Sequence, residues 1–339
     1  MEKAVSEPGQ WLCGPRDAIT DVRGIRVGHW TDRRAGTGCT VILCEESTGA
    51  AVDARGGAPG TRETDVLAGA NLVRLCHAVL FSGGSAFGLA AATGVMEWLA
   101  ERNVGFGTAA RKIPIVSGAV LYDLGVGRAD AFPGAEAGRL AAGRATGGGV
   151  AQGSVGAATG ATVAKVLGAE RALKGGIGTA SVVGPRGLVV GAIVANNASG
   201  HVFDPETGAL IAGPRDEQGH FVGLPESIER RTAQMDALLE NTTLVCVATN
   251  AGLDHHQLQR VAIQAHDGLA RVVMPAHTFG DGDVAFAIAT GAVAIQPHDA
   301  FTVGVMAVRA VERALVKSVR LAKGLHGVPS AAEWLGGRQ

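Results

Sequence analysis

The segment Leu238-Leu-Glu-Asn-Thr-Thr-Leu-Val-Cys-Val-Ala-Thr249 joins a predicted amphipathic helix to a predicted buried strand with almost no linker. On the helical side, apolar residues between Ser227 and Glu240 recur at spacings of three and four residues, which is the pattern of one helix face. On the other side, Thr243–Thr249 is rich in small and β-branched residues, as strands are. Asn241, between them, tolerates the left-handed backbone that ends many helices. An ordinary helix-to-strand turn is therefore one interpretation of this segment.

The dipeptide Asn241-Thr242 at this junction also permits a chemical interpretation. The Thr242 hydroxyl is able to attack the Asn241 carbonyl and to shift the acyl group from nitrogen to oxygen. Hydrolysis of the resulting ester frees the Thr242 α-amine, whose ordinary pKa of about 7.7–8.0 lets it serve as a general base near neutral pH. A strand holds such a nucleophile rigidly. Self-cleavage between Asn241 and Thr242, which would leave Thr242 as the nucleophile of an amide hydrolase, is therefore the second interpretation of this segment.

Apolar strands and amphipathic helices alternate along the rest of the chain. Because the predicted strands are apolar on both faces, they fit sheets that are covered on both sides, in a layered α/β/β/α or α/β/α body. No shift in composition marks a boundary, so residues 1–339 are expected to form a single domain. The predicted strands are Thr40–Cys44, Ala78–Ser82, Leu188–Ala195, Thr243–Thr249 and Val284–Thr290, and the predicted helices are Asp65–His77, Gly84–Arg102, Ser227–Glu240, His256–Leu269 and Phe301–Lys323.

Three segments carry more specific predictions. The Gly/Ala-rich stretch Gly143–Gly168 is expected to be a loop that leads into a short helix holding Lys165. In the helix Ser227–Glu240 the spacing directs one apolar stripe inward, and in Phe301–Lys323 a stripe of valine and leucine does the same. The two stripes are Ile228, Thr232, Met235 and Leu239, and Val305, Val308, Val311, Leu315 and Val319.

Composition excludes several classes of function. The chain has 339 residues, of which 47% are apolar and 18% charged, so it is not a disordered protein. Its net charge of -1, without a cluster of Lys and Arg, argues against nucleic-acid or anionic-membrane partners. We recognise no signal-peptide pattern and no apolar stretch long enough to span a bilayer. Five cysteines without framework spacing fit reduced thiols, so a cytoplasmic location is expected.

Common cofactor and metal motifs are also missing from the sequence. It has no P-loop, CxxC, HExxH or EF-hand pattern. His255, His256 and His266 do not suggest a metal site, because adjacent side chains on a helix diverge by about 100°. We therefore expect neither a cofactor nor a metal. The run Ala78–Gly88 reads as strand, tight turn and helix, so Ser85 is an alternative nucleophile, but no G-x-S-x-G frame fits it.

Three further motifs carry a family resemblance. They are Val52-Asp-Ala-Arg-Gly-Gly-Ala-Pro-Gly-Thr-Arg-Glu-Thr-Asp-Val-Leu67, Ser82-Gly-Gly-Ser-Ala-Phe-Gly-Leu89 and Pro114-Ile-Val-Ser-Gly-Ala-Val-Leu-Tyr-Asp-Leu124. In this order they resemble the self-processing D-aminopeptidase and β-aminopeptidase family, which includes the nylon-oligomer endohydrolases. The Asn-Thr-Thr junction is similar to the nylon-hydrolase branch, whereas the aminopeptidases that resemble this chain process before a serine. The likeness covers residues 20 to 320.

The resemblance implies a fold and an assembly. The fold is a four-layer αββα sandwich of the N-terminal-nucleophile-hydrolase type. The chain is expected to be processed into an α chain, residues 1–241, and a β chain, residues 242–339. We expect a homotetramer of such processed heterodimers that takes a small amide or peptide substrate.

The resemblance also implies roles for site residues around the nucleophile, Thr242. Lys165 matches a lysine near the nucleophile, where its positive charge would lower the pKa of the Thr242 amine. Asn197 matches an amide that stabilises the tetrahedral oxyanion, and the neighbouring Asn196 is an alternative because adjacent strand residues face opposite ways. The only tyrosine, Tyr122, aligns with a hydroxyl near the site or is a packing aromatic.

A pair of carboxylates completes the implied site. Asp281 and Asp283 match two groups that orient the nucleophile and its amine, although Asp-x-Asp with glycine also suits a simple turn. One departure bears on specificity, because Ser117–Leu121 lacks the acidic residue with which the aminopeptidases hold a substrate ammonium. This departure favours small or neutral amides. The alternatives are an acyltransferase that resembles ornithine acetyltransferase, and a non-catalytic binding protein in which Asn241-Thr242 is only a turn.

Overall fold

The structure is a computed structural model that describes residues 11–69, 71–231 and 241–336, without the side chains of residues 45–47. It is a mixed α/β fold in which one large sheet carries most of the strands. The strands are β1 Arg26–Asp32, β2 Thr37–Ala54, β3 Thr61–Arg62, β4 Leu75–Ser82, β5 Phe106–Gly107, β6 Lys112–Ile113, β7 Val116–Val120, β8 Thr162–Val163, β9 Leu173–Lys174, β10 Gly176–Val183, β11 Val189–Asn197, β12 His201–Phe203, β13 Leu210–Ala212, β14 Thr242–Ala251, β15 Val273–Met274 and β16 Val284–Val293; the α-helices are α1 Ala91–Glu101, α2 Ala135–Gly143, α3 Leu224–Arg231, α4 His255–Ala270, α5 Asp299–Arg320 and α6 Ala331–Gly336.

The long strand β2 links two halves of the main sheet, whose order is β10-β11-β14-β16-β2-β4-β7-β3 with β1 also paired to β2. Its first half pairs with β1 and β4, and its second half pairs with β16. The register with β4 shifts between Leu43 and Thr48, which bends the strand at this point. The two halves can therefore face each other as two layers.

Three separate apolar cores show that these layers are stacked. The middle core lies between the two half-sheets and includes the Phe81 and Phe286 rings, whose centroids are 6.4 Å apart. Helices α4 and α5 cover the outer face of β10, β11, β14 and β16, and α1 and α2 cover the outer face of β2 and β4. The order of layers is thus helix, sheet, sheet, helix, and the predicted αββα sandwich is confirmed.

Several glycines let these layers approach more closely than any side chain would allow. A Cβ atom at Gly178 of β10 would lie 1.9 Å from the carbonyl oxygen of Ala314 on α5. Where α1 crosses α2, a Cβ at Gly94 would lie 1.7 Å from the Ala135 oxygen. Both distances are far inside van der Waals contact, so much of the high glycine content serves backbone-to-backbone packing.

The predicted strands are all present, but some helical predictions are wrong. Asp65–His77 is not a helix: Asp65–Leu67 is a single 3₁₀ turn, and β4 begins at Leu75. The turn ends because Gly69 is left-handed, with φ of 62°, and the Asn71 side chain donates to the Ala68 carbonyl at 2.9 Å. Gly84–Arg102 begins as a 3₁₀ helix over Ser85–Ala90 before α1 takes over.

The predicted inward stripes are only partly correct. In α5, Val311, Leu315 and Val319 are buried, but Val305 is 36% exposed, because small residues such as Ala307 make the close contact with the sheet. In α3, Ile228 is exposed instead of buried. The remaining residues of that predicted stripe, Thr232, Met235 and Leu239, lie outside the described residues. Among the described helices, none is both long and apolar enough to cross a bilayer.

Candidate active site

The Asn241-Thr242 peptide bond lies at the start of an interior strand. Thr242 is the first residue of β14, which is antiparallel to β11 on one side and parallel to β16 on the other. Asn241 forms a parallel bridge with Asp281, just before β16. Asn241 and Thr242 are 7% and 6% exposed. The bond is therefore held within the sheet rather than in a surface turn.

Two donors meet at the carbonyl oxygen of Asn241. The Thr242 hydroxyl donates to it at 2.5 Å, and the backbone N–H of Gly282 donates to it at 2.8 Å. A Cβ atom at position 282 would lie only 2.6 Å from the Thr242 Oγ1. The absence of a side chain at Gly282 thus lets the hydroxyl stay beside the carbonyl.

Asn197 lies directly opposite Thr242 on the neighbouring strand β11. Its buried side chain accepts from the Thr162 N–H at 2.9 Å and donates to the Tyr122 carbonyl oxygen at 3.0 Å. The adjacent Asn196 faces the other way and donates to the Ser318 hydroxyl on α5. Of the two asparagines considered from the sequence, Asn197 is therefore the one on the face shared with Tyr122 and Thr162.

Lys165 reaches the same cluster from a loop. The prediction of a short helix around Lys165 is wrong, because Lys165 lies in the loop that follows β8. The backbone N–H of Lys165 donates to the Ser199 carbonyl oxygen at 2.8 Å. The preceding Ala164 has φ of 59°, a strained conformation for a residue with a side chain. The Lys165 Nζ donates to the Asn197 carbonyl oxygen at 2.9 Å, so it lies beside the strand partner of Thr242.

A buried lysine and a buried aspartate support this cluster. The sequence interpretation did not identify Lys174, and it considered Asp123 only as an alternative partner for a substrate ammonium. Lys174 is fully buried, and its Nζ donates to the carbonyl oxygens of Thr159 and Ala161. Burial lowers the pKa of Lys174 to about 7, and burial raises the pKa of Asp123 to about 6. A neutral amine keeps two N–H donors, which matches the two carbonyls. In the sequence, Lys174 stands at the start of a run of small and apolar residues, and this position was the available sign that the lysine is buried.

The two aspartates hold the backbone around the junction. Asp283 accepts from the Thr243 N–H at 2.6 Å, one residue beyond the candidate nucleophile, and Asp281 accepts from the Thr278 N–H at 2.6 Å. Burial and the nearby charge of Asp283 raise the pKa of Asp281. The second oxygen of Asp281 is buried and has no hydrogen-bond partner among the described residues. It is therefore available to accept a further hydrogen bond.

The loop that carries these aspartates is held by backbone hydrogen bonds from the sequence motif Val52–Leu67. The N–H groups of Arg55 and Gly56 donate to the Asp283 carbonyl, and the N–H of Ala58 donates to the Asp281 carbonyl at 2.9 Å. A Cβ at Gly56 would lie 2.2 Å from the Asp281 oxygen. The glycines of this motif therefore permit direct contact with the Asp281–Asp283 segment.

The alternative sites considered from the sequence are not assembled in the described structure. Ser85 lies in the turn after β4, and its hydroxyl makes no described hydrogen bond to a histidine or a carboxylate. His266 is buried and hydrogen-bonds to the Asp53 carbonyl oxygen at 3.0 Å. Within residues 11–69, 71–231 and 241–336, no group of three or more His, Cys, Asp or Glu residues is placed to hold a metal ion.

Comparisons with known proteins agree with this fold. The model of peptidase family S58 matches residues 17–332. An uncharacterized aminopeptidase of Mycobacterium leprae is 43% identical over 94% of this chain and 94% of its own length. The 6-aminohexanoate-oligomer endohydrolase of Paenarthrobacter ureafaciens is 31% identical over 80% of this chain and 74% of its own length.

The fold also matches a solved structure. The L-aminopeptidase D-Ala-esterase/amidase of Ochrobactrum anthropi, described as a variant of the Ntn hydrolase fold, superposes with a TM-score of 0.73 at 23% identity, covering 95% of this chain and 91% of that one. At this identity the match concerns the fold alone. With the family match over nearly the whole chain, it follows that this chain belongs to peptidase family S58 and is a hydrolase with an Ntn-hydrolase fold.

Proposed function

We propose that the chain cleaves itself between Asn241 and Thr242, and that the freed Thr242 hydrolyses amide bonds in small peptides or amide oligomers. One observation carries the proposal: the Thr242 hydroxyl and the Gly282 N–H meet at the Asn241 carbonyl oxygen, at 2.5 and 2.8 Å. The first group is the nucleophile, and it lies beside the carbonyl group whose carbon it would attack. The second is a donor aimed at the oxygen that becomes negative in the tetrahedral intermediate.

Self-cleavage then proceeds in two steps, an acyl shift from nitrogen to oxygen and hydrolysis of the resulting ester. The Thr242 Oγ1 bonds to the Asn241 carbonyl carbon and loses its proton, while the Gly282 N–H stabilises the oxyanion. The intermediate collapses by breaking the C–N bond, and the leaving nitrogen takes up a proton, which gives an ester. Water hydrolyses this ester to the Asn241 carboxylate and regenerates the Thr242 hydroxyl beside a free α-amine.

Substrate hydrolysis repeats this chemistry in trans. The Thr242 α-amine takes the hydroxyl proton while Oγ1 bonds to the substrate carbonyl carbon, and it passes this proton to the nitrogen that leaves when the C–N bond breaks. Water then hydrolyses the acyl ester, which releases the acid and restores the hydroxyl. The Nζ of Lys165 donates to the carbonyl oxygen of Asn197, the strand partner of Thr242, and its positive charge lowers the pKa of the α-amine. The Gly282 N–H and the Asn197 amide are the proposed oxyanion donors, and Asp281 and Asp283 orient the new N-terminus. The Tyr122 hydroxyl is proposed as a further group near the site, because the Tyr122 carbonyl oxygen accepts from the Asn197 side chain at 3.0 Å.

The proposed substrate is a small neutral amide. β7 is buried along its whole length and presents no acid, and the Ser117 hydroxyl donates to the Glu63 carbonyl at 2.6 Å. A substrate ammonium buried there without a counter-charge would be costly. The similarity to 6-aminohexanoate-oligomer endohydrolases supports an amide oligomer, whereas the similarity to proteins named aminopeptidases supports the alternative, release of an N-terminal residue.

Intact-mass measurement tests the maturation step. Purified protein should separate into two chains, and N-terminal sequencing of the shorter one should read Thr-Thr-Leu-Val-Cys, from Thr242 onward. Thr242→Ala should remain a single chain because it has no hydroxyl. A wild type that hydrolyses amides while its 339-residue chain stays intact would contradict the proposed mechanism.

Matched substrates test the chemistry and the specificity. We expect acetylation of a substrate's N-terminus to change kcat/KM by less than about a hundredfold, which corresponds to about 2.7 kcal/mol. A larger preference for the free amine would assign the chain to the aminopeptidase alternative. Transfer of the acyl group to ornithine at a rate exceeding hydrolysis would favour the acyltransferase alternative instead.

We also propose a homotetramer of processed heterodimers and a cytoplasmic location. Multi-angle light scattering on the purified protein tests the first, and a monomer would contradict it. The cytoplasmic location is supported by the cysteines, because all five are free thiols. Even the buried Cys44 and Cys76 sulfur atoms, which are 3.5 Å apart, form no disulfide. Subcellular fractionation of the native source tests it.

A further inference from the structure

The carboxylate of Asp283 uses its two oxygens for different segments. Its Oδ1 accepts from the Thr243 N–H at 2.6 Å, so it holds the residue next to the candidate nucleophile. Its Oδ2 accepts twice from His277: from the backbone N–H at 3.0 Å and from Nδ1, 2.9 Å away. Asp283 is 2% exposed, so both sets of bonds lie in a nearly dry environment, where they are stronger than in water.

His277 is held in a conformation that residues other than glycine adopt infrequently. Its φ is 57°, in the left-handed region, which costs free energy for a residue with a side chain. This conformation accompanies its two contacts with the same Asp283 oxygen. In the described part of the chain, His277 is also the only basic side chain in an ion pair with Asp283.

The groups around His277 favour one hydrogen-bond arrangement. The His266 ring packs edge-on against the His277 ring, with centroids 4.7 Å apart, and burial lowers the pKa of His266, which favours its neutral form. His266 in turn binds the Asp53 carbonyl oxygen at 3.0 Å and lies 3.5 Å from the Asp53 carboxylate. The remaining carboxylate nearby, Asp281, interacts electrostatically with both His277 and Asp283. An ionised Asp283 carboxylate can only accept hydrogen bonds. Nδ1 of His277 must therefore carry a hydrogen and donate a hydrogen bond to the carboxylate.

From this geometry we propose that His277 is a positioning residue for self-cleavage. His277 holds the Asp283 carboxylate, and Asp283 in turn holds the Thr243 backbone. The proposal rests on the proposed self-cleavage at Asn241-Thr242. A shift of Thr243 displaces the neighbouring hydroxyl from the Asn241 carbonyl, and a displacement of about 1 Å can reduce a rate by about a hundredfold. His277 itself touches neither the scissile bond nor the substrate in this role.

Two substitutions separate the hydrogen bond from the shape of the ring. His277→Phe keeps a ring but removes the Nδ1 donor. His277→Asn keeps a donor at nearly the same position, and asparagine tolerates the left-handed backbone. His326 provides a matched control, because it is another left-handed histidine, with φ of 48°, whose ring binds the Arg33 carbonyl oxygen. His326→Phe therefore carries a similar backbone cost at a different place.

The rate of self-cleavage is measured on freshly synthesised full-length chain, as the fraction cleaved over time on a denaturing gel. We expect His277→Phe to cleave at least about tenfold more slowly than wild type, in line with the loss of a hydrogen bond to a buried charge. His277→Asn and His326→Phe should stay within about threefold of wild type. Urea unfolding on the Thr242→Ala background shows whether each variant folds. If His277→Phe does not fold, His277→Ala replaces it, with the same expected result.

A double-mutant cycle tests whether His277 acts through Asp283. On an Asp283→Asn background, His277→Phe should have almost no further effect on the rate. Equal slowing by His277→Phe and His277→Asn, or a full additional loss on the Asp283→Asn background, would overturn the proposal. So would a folded His277→Phe that cleaves at the wild-type rate. A wild type that never cleaves would instead overturn the proposed function, which distinguishes the two failures.

Discussion

A single added methyl group at Gly282 should block self-cleavage while leaving the fold intact. In Gly282→Ala the new Cβ would lie 2.6 Å from the Thr242 Oγ1 and 2.9 Å from the Ala58 carbonyl oxygen. Ordinary contacts begin at 3.4 Å, so the hydroxyl has to retreat by about 0.8 Å. Rotation of the Thr242 side chain is the least costly way to retreat, and it moves the hydroxyl away from the Asn241 carbonyl.

The expected effect follows from this displacement. A misplacement of about 1 Å costs about a hundredfold in rate, or about 2.7 kcal/mol of activation free energy. The contact with the Ala58 oxygen involves backbone, so we expect it to cost stability as well, within the range of about 1–3 kcal/mol for overpacking. Gly282→Ala should therefore accumulate as folded precursor.

The assay follows cleavage of freshly synthesised chain over time. Gly107→Ala is the control, because a Cβ at this position meets nothing within 4 Å, and it should cleave like wild type. Comparing Thr242→Ala with the Thr242→Ala/Gly282→Ala double variant in urea isolates the stability cost of the Ala58 contact. A folded Gly282→Ala that cleaves within about threefold of wild type would refute the idea that the observed hydroxyl position is the reactive one.

Three further predictions concern the cluster opposite Thr242. The pKa of Lys174 is lowered by burial to about 7 from an ordinary 10.5, so the unfolded chain binds more protons between these values. The free energy of unfolding of the Thr242→Ala precursor should therefore rise with pH from 7 to 10.5, by up to about 1.4 kcal/mol per unit, and fall again as pH drops towards 7. Lys174→Met should flatten this slope in urea titrations, and an unchanged slope would contradict the assignment. Asn197→Ala should lower kcat for amide hydrolysis by at least about a hundredfold, whereas Asn196→Ala should reduce stability and leave kcat nearly unchanged; equal effects on kcat would rule out a specific role for Asn197. Lys165→Ala should raise the pKa on the acidic limb of the kcat/KM profile, and an unshifted profile would remove Lys165 from the base's surroundings.

The strands were predictable because their apolar character is local, but their order in the sheet was not. β14 lies between β11 and β16, and β2 pairs with partners on both layers; these are long-range pairings that no short window of sequence records. The stripe of α5 was misplaced for a related reason. A search for large apolar residues selects Val305, whereas close packing against the glycine-rich β10 requires small residues such as Ala307 and Ala310.

The site residues divide in a similar way. The Asn241-Thr242 junction and the Asp281–Asp283 pair stand out in the sequence because their side chains suggest chemistry, and their catalytic roles stay predictions. Gly282 contributes a backbone N–H, which any residue but proline has, and the absence of a side chain, which matters only through a long-range contact with the Thr242 hydroxyl. In the sequence, a glycine between two aspartates indicates no more than a turn. His277 was missed because its contact with Asp283 depends on a left-handed backbone, which is not predictable for a histidine.

The position of β14 inside the sheet has a consequence for how the protein can be unfolded. Cleavage before Thr242 would leave β14, β16, α4 and α5 on the short chain, while their neighbours β11 and β2 belong to the long chain. The precursor refolds as one molecule, but two separated chains have to find each other, so recovery depends on protein concentration. Unfolding of the mature protein would thus be less reversible than unfolding of the precursor. The lifetime of the folded mature protein would then depend on the rate at which its two chains dissociate.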